Sequence, residues 1–137
     1  MYVAIEQIEA LIPRDVLAQA LSDGDGTDID LAIWTRVEAA AAAAIDGALA
    51  GRYSVPFSAP VPSVIQDAAL VFCCEIIYQR RGIPTEQNPF AQRARDCRAA
   101  LAQIAAGDRN LSTTTAKAVS SGVVIAETSR LGDKLLN

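Results

Sequence analysis

The amino-acid sequence predicts an all-α fold. We expect a small bundle of about four to five helices around a long central antiparallel pair, followed by an extended C-terminal tail. Three observations lead there. Apolar residues recur at three- and four-residue spacing through most of residues 1–110. Prolines and glycines sit at the edges of those periodic segments, where helices start and stop. Aromatic residues make up only 5% of the chain while alanine is abundant, so the helices should pack closely through small side chains. At 137 residues the chain is one ordinary domain with a tail, able to hold a core without disulfides or metal.

Taken in order, Ile5, Ile8, Leu11 and Ile12 mark a first helix, with Glu6 and Glu9 in its early turns. Pro13 divides it from a second helix, Arg14 to Leu21, because proline suits a first helical position and not an interior one. The stretch Ser22 to Asp30, SDGDGTDID, has the look of a calcium loop. With Asp23 as first ligand, however, Asp28 stands where the sharp-turn glycine belongs, and Trp34 stands where a bidentate Glu is required. A turn ending in an N-cap is the better expectation, with Thr27 or Asp28 capping and Asp30 favourable to the helix dipole.

A long helix should then run from Ile29 to about Tyr53, with Ile33, Val37, Ala41, Ile45 (with Ala44), Ala48, Leu49 and Arg52–Tyr53 along one stripe. Its run Ala39 to Ala44 has high helix propensity and little girth. Gly47 would cost about 1 kcal/mol against alanine, so a close helix crossing is expected there. Pro56, Pro60 and Pro62 break the helix into an elbow, and Pro62 opens the next one.

That next helix, Pro62 to Arg81, is the most apolar and should be buried on most sides, with Gly82 as its stop. Glu75 lies inside it and must be paired; Arg36, Arg52, Gln79 and Arg80 are the candidate partners. Asp46, Glu75 and Arg80 are read as members of structural ion pairs. Asn88-Pro89 caps a final helix to Ala106, which carries Phe90, Ala94, Cys97, Leu101 and Ile104 on one face and is closed by Gly107.

Residues 1–110 form the helical domain, and 111–137 change character. Ser and Thr clusters surround a short β-prone run, Val123-Val124-Ile125. An extended or partly disordered tail is expected. Its apolar residues, Leu131, Leu135 and Leu136 among them, argue for docking on a neighbouring subunit.

Composition narrows the chemistry. The chain has no histidine, so neither a Ser-His-Asp nor a Cys-His nucleophile can be built within it. Cys73 and Cys74 point ~100° apart on a helix and cannot chelate zinc as a knuckle would. The three cysteines read as buried small hydrophobes in a reducing cytoplasm. A net charge of −4 argues against nucleic-acid binding as the main task. No apolar run approaches the ~20 residues that span a bilayer.

The helix end Ile45-Asp46-Gly47-x-Leu49-Ala50-x-Arg52-Tyr53, the following x-x-Pro56 and the Val61-Pro62 restart resemble the head–tail connector proteins of Mu-like phages and prophages. The opening Met1-Tyr2-Val3, the Asp-Gly loop and Leu101-x-x-Ile104-Ala105-x-Gly107 extend the resemblance over residues 1–111. It implies a virion adaptor subunit that assembles with itself into a ring of about twelve copies beneath the portal protein. Such a ring extends the DNA channel without binding DNA specifically, and it offers a docking surface for tail or head-completion proteins. No catalysis, cofactor, metal or membrane is implied, and the location would be the virion, with the host cytoplasm during assembly. Candidate interface residues are Arg52, Tyr53, Pro56 and Phe57 at the elbow, and Val123, Val124, Ile125, Leu131 and Leu135 in the tail. For Arg52 and Tyr53 the competing reading is stabilisation of a helix end and core packing. Two other classes stand beside the connector: a cytoplasmic helical interaction domain, and a hydrolase using Asp23, Asp25, Asp28 and Asp30 with a borrowed metal.

Overall fold

Five α-helices and one 3-10 turn make up the regular structure of residues 1–111, the part that the computed structural model describes. They are α1 (Ile5–Glu9), α2 (Arg14–Ala20), α3 (Leu31–Leu49), α4 (Ser63–Arg80) and α5 (Ala91–Ala106), with the 3-10 turn at Thr85–Gln87. No strand occurs among the described residues. The all-α expectation holds, built on the α3–α4 pair.

The chain signals act where the sequence puts them. Pro13 stands immediately before α2, and Pro62 immediately before α4. Gly82 and Gly107 take left-handed backbone, at φ 78° and 88°, just beyond α4 and α5. Past each glycine the chain turns back on the helix. The Ile83 N–H donates to the Tyr78 carbonyl and the Asp108 N–H to the Gln103 carbonyl, the six-to-one closure that left-handed caps permit. Two N-termini differ from expectation. α5 begins at Ala91 with Phe90 at its N-cap, while Asn88 holds the preceding turn by accepting from the Phe90 N–H at 3.0 Å. Asp30, not Thr27 or Asp28, caps α3: its carboxylate accepts from the Ala32 N–H at 2.9 Å. Thr27 is instead held by Asp25 inside the loop.

α3 lies against α4, α5 packs on both, and α1 and α2 each pack against α4. The α3 stripe that enters the core is Ile33, Trp34, Val37, Glu38, Ala41, Ile45 and Leu49. The spacing does not pick out Trp34 and Glu38, and Ala44 and Ala48, which it does, lie outside the stripe on an exposed face. The expected crossing at Gly47 is also absent. Gly47 is exposed, and a Cβ built there would meet nothing within 4 Å. The close packing falls on the opposite side of α3, around Ala41 and Ile45.

Candidate functional site: the elbow and the root of the tail

Three aromatic rings organise the elbow. Tyr2 and Tyr53 each stand beside Phe57, with ring centroids 6.3 Å and 6.1 Å away. The Tyr2 hydroxyl donates to the Asp46 carboxylate at 2.6 Å and accepts from the Phe57 N–H at 2.9 Å. The Tyr2 N–H donates to the buried Glu38 carboxylate at 2.8 Å. One residue at the start of the chain thus ties the middle of α3, its last turn and the elbow together. Burial, reinforced by the Asp46 carboxylate, pushes the Tyr2 phenol up to about 12. Sequence reasoning gave Glu38 no role and used Tyr2 only within the opening Met1-Tyr2-Val3. The only signal was that a buried phenol and a buried carboxylate each need a partner.

The far side of the elbow is a clamp. Arg52 donates to the Ile104 carbonyl at 2.8 Å, to the Arg109 carbonyl at 3.3 Å and to the Asn110 side-chain oxygen. Its guanidinium lies 5.4 Å from the Tyr53 ring centre. A Cβ at Gly107 would come 3.6 Å from the same guanidinium. A cation placed on the open carbonyls of a helix C-terminus opposes the dipole's negative end. Arg52 therefore stabilises a helix end as one of its two readings held, but the end is that of α5 and not its own. Beside it the Tyr53 hydroxyl accepts from the Leu111 N–H at 3.4 Å, and Leu111 is buried. Arg52 and Tyr53 together fix the point from which the tail departs.

The profile of the family described as bacteriophage Mu, Gp36 matches residues 2–126. The chain belongs to that family. No match is found among curated proteins. The Gp36 match takes in every residue of the elbow and of the Arg52 clamp, and it continues through Val123, Val124 and Ile125. It makes this a phage-associated protein. No helix of the described residues is long and apolar enough to cross a membrane.

Within this Gp36-family chain the interface candidates separate. The rings of Tyr53 and Phe57 are buried in the chain's own core, Arg52 is half-buried at the clamp, and Pro56 is exposed on the elbow. Val123, Val124, Ile125, Leu131 and Leu135 lie outside the described residues.

The charged candidates have partners within the fold. Asp46, expected in an ion pair, is instead held by the neutral Tyr2 hydroxyl. Arg80 pairs with Asp23 at 3.0 Å and donates its Nε–H to the Ala20 carbonyl at 2.7 Å. Glu75 is paired as expected, but by Arg98 of α5 at 2.5 Å and by none of the four residues proposed from sequence. The Arg98 guanidinium also lies 5.1 Å from the Phe72 ring centre. The loop acids are likewise engaged: Asp25 with Thr27, Asp30 with the α3 N-terminus, Asp23 with Arg80. The two bonds from Thr27 hold the Asp25 carboxyl below its usual range. Among the described residues no three or more metal-capable side chains gather. Cys73 and Cys74 are fully buried, which pushes both thiols up to about 12.

Proposed function

We propose that this Gp36-family chain is a non-catalytic virion subunit, a head–tail connector that assembles as a ring under the portal. In that role it extends the DNA channel and offers a docking surface to tail or completion proteins. The observation that carries the reading is the family match over residues 2–126, spanning the elbow whose residues resemble phage connectors. Two features of the fold support it. The elbow residues act as a scaffold that fixes where the tail leaves, as a subunit needs if its tail is to reach a neighbour. The loop acids Asp23, Asp25 and Asp30 are engaged in turns, caps and an ion pair. The net charge of −4 suits a channel past which phosphates slide without being held.

The test is assembly. The purified chain, alone and mixed with the portal protein of the same phage, is followed by native mass spectrometry and negative-stain microscopy. Ring-sized complexes that form on the portal support the reading, including the case where the isolated chain is monomeric. A chain that ignores portal rings at every concentration overturns it, and capture of a non-virion partner by the same chain would favour a helical interaction domain.

A further inference from the structure

One groove opens on the exposed side of the helical core. Its volume is about 170 Å³, and its walls are Ala44 and Ala48 of α3, Phe72 of α4, and Arg98 and Leu101 of α5. The contacts set its direction. Arg52 meets Ile104 and Gly107 at one end, Ala48 shares the groove with Leu101, and Ala44 shares it with Arg98, so α3 and α5 run the same way. The groove thus begins about one turn before the clamp that holds Asn110 and Leu111, and it runs back along α3 from there. Its walls are alanine methyls, a ring and a leucine. The one charged wall, Arg98, is tied to Glu75 yet keeps 54% of its side chain exposed.

We propose that the chain's own segment Val123-Val124-Ile125-Ala126-Glu127 fills this groove in the free subunit. The root of the tail is pinned beside the groove's near end, by Arg52 and Tyr53. Residues 112–122 extend up to roughly 36 Å at ~3.3 Å each, which is ample to turn and come back. A tethered segment meets its site at a millimolar effective concentration, far above what a separate copy supplies in dilute solution. The spacing also agrees. In an extended run, alternate residues share a side about 6.6 Å apart, and successive helix turns at Ala48 and Ala44 lie about 6 Å apart. Val123 then rests on Ala48 and Leu101, and Ile125 on Ala44 and Phe72. Glu127 follows on the same side and reaches the exposed part of Arg98. Small wall residues leave room for β-branched ones, and the single tail carboxylate in register meets the single wall cation. This inference does not depend on ring formation.

Crosslinking in the full chain tests it. In a Cys97→Ser background, with Cys73 and Cys74 sealed in the core, Ala48→Cys is combined with Ile125→Cys and oxidised at low protein concentration. The expected product is a monomer-sized chain whose peptide map joins the two positions. A dimer-sized product overturns the proposal in favour of tail exchange between copies. Free thiols in a folded chain, or equal linkage to a control Asp28→Cys in the loop before the opposite end of α3, overturn it outright. A second measurement needs no new thiol: Ala48→Glu should leave the circular-dichroism melt in place and make tryptic cleavage after Arg130 several-fold faster. An unchanged cleavage rate counts against the proposal.

Discussion

α3 and α4 are almost equal in length, at 19 and 18 residues, and they pack against each other, yet they live in different surroundings. α4 touches every other helix and buries residues on all sides, among them Ile65, Ala69, Cys73, Cys74 and Ile77 with no exposed surface. α3 is covered on one side only. Its other face, from Arg36 through Ala40, Ala43 and Gly47, is exposed, and Ala44 and Ala48 beside it form one wall of the groove. The difference is one of girth. A face of methyl groups offers little apolar area to water, so it can stay bare without the aggregation risk of a leucine face, and still accept a close partner. α4 is the part that makes the chain fold. α3 is the part with surface left to use.

The sharpest way to break this contrast is to substitute one site in each helix. Ile77→Ala in α4 should destabilise the chain by about 2–5 kcal/mol, the range for truncating a fully buried aliphatic side chain. Ala43→Ser on the bare face of α3 should stay within about 0.5 kcal/mol. Urea unfolding of both variants measures the gap. Similar losses would mean that the α3 face around Ala43, outside the groove, is covered in solution.

Next in size is the ion pair that joins α4 to α5. Arg98→Ala leaves the buried Glu75 carboxylate without its cation, at about 2–3 kcal/mol, below the fully buried case because Arg98 is half exposed. Adding Glu75→Leu should recover most of that loss, since an apolar pair avoids the stranded charge. A double-mutant cycle reads the coupling directly, and strict additivity would contradict the pairing.

This pair also shows how far the residues alone could be read. That Glu75 must be paired followed from a carboxylate in an apolar helix; which arginine pairs it depended on the rotation of α5 against α4, 23 residues away. Helix ends were legible because Pro13, Pro62, Gly82 and Gly107 act through local backbone geometry. The N-cap was placed two or three residues early, because Thr27, Asp28 and Asp30 are equally good cap chemistry and only loop geometry selects Asp30. Gly47 was read as a crossing from its cost in a helix, a cost that says nothing about which face the glycine occupies. Tyr2 was beyond reach, since its partners at 38, 46 and 57 come together only through tertiary packing.

Tyr2 gives the third test, at the junction where α3 enters the elbow. Its folded-state value is raised to about 12 from an ordinary 10. A raised value means that the contribution is fully present below pH 10 and is lost as pH climbs from about 10 to about 12. Tyr2→Phe should cost about 1–2 kcal/mol at neutral pH, for lost bonds to Asp46 and Phe57. It should also lose less stability than the parent chain across that alkaline window. Because the remaining tyrosines and cysteines titrate in both proteins, the difference between the two stability–pH curves isolates Tyr2. Parallel curves would show that the phenol does not carry the junction.

The smallest expected effect bears most directly on what the bare face is for. Gly47 sits in the interior of α3 with open space where a Cβ would go. Gly47→Ala should therefore stabilise the free chain by about 0.5–1 kcal/mol, through backbone entropy and helix propensity, and raise its melting temperature by a few degrees. If the same variant joins portal rings as well as the parent chain, the α3 face stays open in the assembly and the glycine is a helix flaw of no consequence. If the stabilised variant assembles less well, the added methyl has met a neighbour that is not present in the isolated chain. A glycine kept at the expense of monomer stability would then mark where subunit meets subunit, on the side of α3 that α4 leaves bare.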